Sequence, residues 1–335
     1  MLTVIGAGSV GLGIGARTAR SGESVRFLVR SPDVAATIEA EGLRLEDPVT
    51  GDVRAAPARA TSDVREAARL AEGGPFLFCV RTPDLERAAG ALARAAPDAS
   101  VAGAQNDVEG DALLARHFAH VVGVVVRGTY TRYAPNAVRT TGRGRLVVGA
   151  YPEGSGRRVY ELAATFARAG YDVGVSLRIA QDRWLKLCVN LMSAANALVR
   201  RPDHRTREFV ALKVGLLEEA RAVLRAAGIQ ARSCDGRDRS LEDEIAHLQA
   251  SLERGESART LPLYNQVWAA LRHGGPLEAD AYHRRILELA RRHGAAAPLN
   301  TRVLAALERA FRESLGPESV SARELLGRPP DEAPA

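Results

Sequence analysis

The sequence predicts an α/β fold, a doubly wound parallel sheet, followed by an all-α domain. Three observations carry this. Short apolar runs alternate with helical periods over roughly the first 180 residues. A glycine-rich turn follows the first apolar run directly. From Gln181 onward the period becomes helical almost throughout.

Taken in order, Leu2, Val4 and Ile5 read as a strand that runs into Gly6, Gly8 and Gly11 in the spacing GxGxxG, then into a helix over 12–21 closed by Gly22. A strand that turns on glycines into a helix directs backbone N–H groups outward, where they can hold a pyrophosphate. Gly6 permits the tight turn, Gly8 lets the backbone approach phosphates, and Gly11 lets helix and strand pack closely. The strand–turn–helix context makes this a Rossmann-type dinucleotide loop, with Gly6, Gly8, Ser9, Val10 and Gly11 as cofactor-binding candidates. The alternative is a glycine-rich turn with no ligand.

A second strand over 24–29 ends at Arg30. An acidic residue there would accept hydrogen bonds from a ribose 2′-hydroxyl. Arg30 and Ser31 instead offer a positive charge and a hydroxyl to a 2′-phosphate, which favours NADP over NAD. Further elements follow: a helix over 33–41, a hairpin around 43–53, a helix over 63–71 and a strand over 76–80. Next come a helix over 84–95, strands over 101–104 and 121–126 around a helix at 110–118, and an antiparallel strand over 139–149. A helix over 156–169 and a strand over 173–177 complete the first domain, residues 1–179. Arg81 and Thr82 end the strand at 76–80 and can face cofactor phosphates. Gln105 and Asn106 end the strand at 101–104, at the carboxyl edge of the sheet where nicotinamide and substrate should meet. A turn-forming Asn before Asp107 is the plainer explanation of that pair.

The second domain, residues 180–315, is expected to hold helices over 181–198, 206–227, 241–253, 260–271, 278–292 and 300–312. Apolar faces in residues 206–312 can pack within the domain or against a second subunit, so a homodimer is open. Residues 316–335, with four prolines and little apolar content, are expected to be a disordered tail. In a two-domain architecture of this kind the active site is expected between the domains.

Composition narrows the function. The formal charge is +6, but basic residues are scattered among 40 acidic ones and only 5% of residues are aromatic, which argues against nucleic-acid binding. Attraction of an anionic cofactor and substrate accounts for the sign. Cys79, Cys188 and Cys234 are far apart and not in metal spacing, and no His/Cys cluster suggests a metal. Reduced thiols, the absence of a basic leader and the lack of a membrane-length apolar run give a cytoplasmic expectation.

Among 46 basic residues only Lys186 and Lys213 are lysine. An arginine stays protonated, whereas a buried lysine amine can exchange a proton with substrate. Lys186 lies in QDRWLKLCVNLMSAAN, with Asn190 one helical turn on. Lys213, on an otherwise plain helix, is its control. The competing account of Lys186 is a salt-bridged interdomain lysine. Glu278 follows Gly275 and Pro276 and falls in a helix's first turn, where interaction with the helix dipole would by itself account for an acid. The seven histidines, His283 among them, read as ordinary helix residues.

Together these motifs resemble the ketopantoate reductases, also called 2-dehydropantoate 2-reductases, from Leu2 to about Leu307. GAGSVGLGIGARTARSGESVRFLVR is similar to the family's cofactor segment, and VRTPD stands where the family has VK, with Arg81 replacing the lysine. Gln105 and Asn106 match QN of the family's QNG, with Asp107 in place of the glycine. TTGRGRLVVG resembles its glycine-bearing strand pair, WLKLCVN its lysine segment, PLEAD its PTEID, and ARRHGAAAPLNTRV its last helix and turn.

The resemblance implies NADPH-dependent reduction of a 2-oxo acid, with Lys186 as general acid and Glu278 hydrogen-bonding a substrate hydroxyl. Asn106 and Asn190 would position cofactor and substrate. The family's substrate-holding serine falls at Gln266, beside Asn265, and its second asparagine falls at Ala194, with Asn196 close by. These departures leave open a different 2-oxo acid or an imine as substrate. A non-catalytic NADPH-binding sensor is the alternative from another class.

Overall fold

The computed structural model describes residues 1–47, 50–253, 265–275 and 277–328. The chain divides into two compact units, Met1–Arg183 and Trp184–Ala335.

The first unit is built on one ten-stranded sheet. Its elements are β1 (Leu2–Ile5), α1 (Ser9–Arg20), β2 (Val25–Leu28), α2 (Pro32–Glu41), β3 (Leu43–Glu46), β4 (Val53–Ala56), β5 (Arg59–Thr61) and α3 (Val64–Arg69). They continue with β6 (Phe76–Phe78), α4 (Thr82–Ala95), β7 (Val101–Gly103), α5 (Gly110–Leu114), β8 (Val121–Ala134), β9 (Ala137–Tyr151), α6 (Arg157–Arg168) and β10 (Asp172–Val175). The order is β4-β3-β9-β8-β7-β6-β1-β2-β5, with β10 also paired to β9. The run from β8 to β5 is parallel, and β9 turns back antiparallel to β8.

Both faces of the sheet are apolar, as a doubly wound sheet requires. Leu77, Ala102, Val122, Val124, Leu146 and Val148 face one core with Leu12 and Ile14 of α1 and Phe166 of α6. Phe76, Phe78, Val101 and Val121 face the other with Leu85 and Leu92 of α4 and Leu114 of α5. The alternation along each strand is the period of the pleat.

On the second face the register aligns Gly103 of β7 with Gly123 of β8, and Gly123 with Gly149 of β9. Three adjacent strands thus lack a side chain at the same level, which leaves a trough across the sheet. A Cβ at Gly123 would stand 2.6 Å from Asp111 Oδ2 and 2.7 Å from Ile179 Cγ1, and one at Gly149 would stand 2.4 Å from the Ser176 carbonyl oxygen. The trough is therefore filled by what docks in it. Val125 and Val147 pack on Ile179 beside it.

A long helix, α7 (Ile179–Leu198), begins in the first unit. The second unit continues with α8 (Arg207–Ala226), α9 (Leu241–Glu253), α10 (Gln266–His273), α11 (Ala279–His293), α12 (Pro298–Arg312) and α13 (Ala322–Leu326). α8 is its central helix, packed against α9, α11, α12 and α13. Its apolar face, including Phe209, Leu212, Leu216, Leu217 and Leu224, is buried within the chain. Thr206 caps α8 by accepting from the Phe209 N–H, and Gly294, in the left-handed region, closes α11.

Some expectations are corrected. The segment expected to be a disordered tail is described as far as Arg328 and forms a bridge from Val320 to Val199 and then α13, because Val320, Ala322 and Leu325 are all buried. Three of its four prolines lie in residues 329–335, outside the described residues. The helix expected over 260–271 is described only from Gln266; residues 260–264 lie outside the described residues, as do residues 48 and 49 of the hairpin. Strand β5 has three residues and escaped notice. β8 also runs eight residues past the expected strand end at Val126, across positions that, apart from buried Tyr130, are exposed or half-buried and mostly polar.

Candidate active site

Ile5 ends β1 and Gly6 turns the chain with φ +102°, where a Cβ would lie 2.9 Å from Val80 Cγ1. A Cβ on Gly11 would meet the Gly6 carbonyl oxygen at 2.1 Å, so only glycine allows this helix–strand approach. Gly8 differs: the nearest atom to an added Cβ is the Cys79 carbonyl oxygen at 3.9 Å, so the surface above it is clear. No side chain caps α1, its first turn holds no acid, and the Ser9 hydroxyl accepts from the Arg132 N–H instead. An uncapped helix start over a cleared glycine suits a pyrophosphate.

Strands β2 and β6 flank β1, and an arginine follows each within three residues of its end, Arg30 after β2 and Arg81 after β6. Arg30, Arg81 and Arg87 gather on one carboxylate, with Asp84 oxygens 3.8, 3.7 and 3.2 Å away. The Arg30 side chain is 80% exposed, so its pairing is weak and easily redirected. Three positive charges against one negative suit the extra phosphate of NADP. Ser31 caps α2, its Oγ accepting from the Val34 N–H at 3.4 Å.

At the end of β7 the structure revises the reading of Gln105. Its side chain is buried, with Nε2 donating to the Phe78 and Val80 carbonyls at 2.9 and 3.1 Å. Through Nε2 it ties the end of β6 to the end of β7, while its Oε1 is buried with no hydrogen-bond partner among the described residues. Asn106 beside it is half-buried. Asp107, at the family's glycine position, holds the turn through Oδ1, which accepts from the Glu109 and Gly110 N–H groups at 2.9 Å each. Burial raises its carboxyl pKa.

Beneath this turn lies a residue the sequence reading missed. Arg183, in the first turns of α7, is buried with a side-chain exposure of 3%, and its partner Asp111 of α5 is 1% exposed. The guanidinium donates to both Asp111 oxygens, at 2.5 and 2.6 Å. It also donates to the carbonyls of Gly103 at 2.8 Å, Gln105 at 2.7 Å and Asp107 at 3.5 Å. All five guanidinium N–H groups are engaged. One arginine among many gave no sequence signal. The glycine at 103 and its partner at 123 would have, had their register been legible.

In the second unit, from Lys186 onward α7 is buried except along one stripe, formed by Lys186, Val189, Asn190, Ser193 and Asn196. Ala194 is fully buried off this stripe, and Asn196 lies on it. The Asn196 Oδ1 is buried with no hydrogen-bond partner among the described residues. Asn265 caps α10, its Oδ1 accepting from the Trp268 N–H at 2.9 Å and its Nδ2 donating to the Ser193 carbonyl at 2.8 Å. Both ends of that amide thus have structural partners. Gln266 starts α10 and is exposed. Glu278 is half-buried at the N-cap of α11 and makes no side-chain cap bond, so the helix-dipole account of this acid stays open.

The control lysine has a structural partner: Lys213 Nζ lies 4.6 Å from the Phe209 ring centroid, and burial lowers its pKa. His283 is fully buried, its Nδ1 2.8 Å from Asn300 Oδ1, and burial pushes it down to about 4. Burial pushes the Cys188 thiol up to about 12, which leaves it inert. Among the described residues no group of His, Cys, Asp and Glu could hold a metal, and no helix is long and apolar enough to cross a membrane.

The family model described as ketopantoate reductase PanE/ApbA matches residues 2–153, and its C-terminal companion matches residues 178–310. A 2-dehydropantoate 2-reductase of Halobacterium salinarum is 28% identical over 314 residues, covering 92% of this chain and 97% of its own length. One of Caulobacter vibrioides is also 28% identical, with 92% and 98% covered. The crystal structure of a PanE/ApbA family ketopantoate reductase from Ralstonia eutropha matches with a TM-score of 0.74 at 27% identity, covering 94% of this chain and 100% of that one. With both family models matched in order and the fold shared along the chain, this protein belongs to the ketopantoate reductase family, NADPH-dependent oxidoreductases acting on a CH–OH/C=O group.

Proposed function

We propose that this chain reduces ketopantoate to pantoate, with Lys186 as the general acid. The observation that carries the reading is the polar stripe of α7, where Lys186, Asn190 and Asn196 stand on an otherwise buried helix and the Asn196 Oδ1 lacks a partner among the described residues. The glycine loop, with Ser9 and Val10 at the start of α1, would hold the pyrophosphate, and Arg30 and Arg81 the 2′-phosphate. NADPH held there would supply the hydride for reduction of the carbonyl. The carbonyl oxygen takes its proton from Lys186 Nζ, and solvent restores that proton. The ammonium also stabilises negative charge developing on the oxygen. Glu278 anchors a substrate hydroxyl, and Gln266 borders the substrate.

The test is ketopantoate-dependent oxidation of NADPH by the purified protein. Lys186→Ala is expected to lower kcat by about 10² to 10⁴, the usual contribution of a positioned proton donor. Undiminished turnover in that variant overturns the mechanism, and no turnover by the wild type overturns the substrate. A second reading, reduction of a different 2-oxo acid, is favoured by Gln266 standing where the family has a serine. A higher kcat/KM for another 2-oxo acid in a panel would select it.

A further inference from the structure

We propose that Arg183 is a positioning residue for the reaction, acting through the turn that carries Asn106. The proposal rests on the NADPH-dependent reading above. Three carbonyls of the turn, those of Gly103, Gln105 and Asp107, converge on this one guanidinium. Asp111 neutralises it in the same buried space. With its carbonyls drawn inward and the Gln105 side chain fastened to the end of β6, the turn has little freedom left, and half-buried Asn106 is held in one place.

A buried ion pair is poor evidence of a device for stability, because removing two charges from water offsets most of their attraction. An apolar pair would fill the space as well. Here Gly103 and Gly123 also forgo side chains where Asp111 sits: a Cβ on either would lie within 2.8 Å of an Asp111 carboxylate oxygen. What the arrangement provides is fixed geometry, five N–H donors in a rigid fork matched to five acceptor contacts. Arg183 also stands three residues before Lys186 on the same helix.

Arg183→Lys keeps the charge pair and loses the fork, since an ammonium has three donors and no plane. Arg183→Met with Asp111→Asn removes both charges, and keeps the question answerable if the lysine variant does not fold. For whichever variant retains the wild-type circular dichroism spectrum, NADPH affinity is measured by fluorescence and kinetics with ketopantoate, each with and without Asn106→Ala. The expected result is at least a tenfold rise in the Kd for NADPH, with the KM for ketopantoate changed less than twofold. Asn106→Ala should weaken NADPH binding in the wild type and add little in the Arg183 background. Unchanged NADPH affinity, or losses that multiply in full, would overturn the positioning role. Failure of wild-type protein to bind NADPH overturns the functional reading itself, and this proposal with it.

Discussion

Arg30 is 80% exposed and shares Asp84 with two other arginines, so the chain gains little stability from it. On the proposed reading it serves as a charge for the 2′-phosphate. Arg30→Ala should leave the melting temperature unchanged and lower the ratio of kcat/KM for NADPH over NADH by roughly 10- to 100-fold, the worth of one charge-assisted contact. A ratio unaltered by the substitution would assign the 2′-phosphate to other residues. At this scale much was legible in the sequence: the roles of Gly6 and Gly11 follow from spacing, and the distances agree. Asn265 and Gln105 were less legible. Each was picked out as a polar residue near the chemistry, and each turns out to bond inward, Asn265 as a helix cap and Gln105 as a clamp between strand ends. Composition tells which groups can form hydrogen bonds and not which partner wins.

Among elements, helices and strands with a clear apolar period were readable to within a few residues. Three-residue β5 and the polar extension of β8 were not, because the sheet itself recruits their backbone. The glycine trough was illegible for a related reason: it depends on which residue of β7 faces which of β8 and β9, and register is a tertiary property. It is nonetheless testable. Gly123→Ala drives a methyl to 2.6 Å from Asp111 Oδ2, and overpacking of about 1 to 3 kcal/mol outweighs the 0.4 to 1 kcal/mol gained from a stiffer unfolded chain. A fall in Tm of about 3 to 10 °C is expected. Gly90→Ala, on α4 with its nearest neighbours at 3.6 Å, should raise Tm through helix propensity instead. Equal shifts in the two variants would contradict the packing argument.

For the molecule as a whole, acid stability is set in part by His283. Burial holds it at about 4 against an ordinary 6.5, so the folded chain binds this proton less tightly than the unfolded one. The stability due to neutral His283 is complete above pH 6.5 and is lost as pH falls through the interval down to 4, on the order of 3 kcal/mol. His283→Gln, which keeps a donor for Asn300, should flatten melting temperature against pH across that window. A wild-type slope persisting in the variant would place the titration elsewhere. The change of architecture near residue 180 was legible at this scale because periodicity is a property of long stretches, and the contact boundary falls at Arg183.

The trough has a further consequence, for the order in which the chain assembles. Gly103, Gly123 and Gly149 come from three strands, and no one of them contains a seat for the start of α7. The seat comes into existence only once β7, β8 and β9 have paired, after the long-range contacts that are slowest to form. Until then Arg183 and Asp111 remain hydrated and at no disadvantage. Their burial is therefore a closing step, one that waits until β9 has paired with β8.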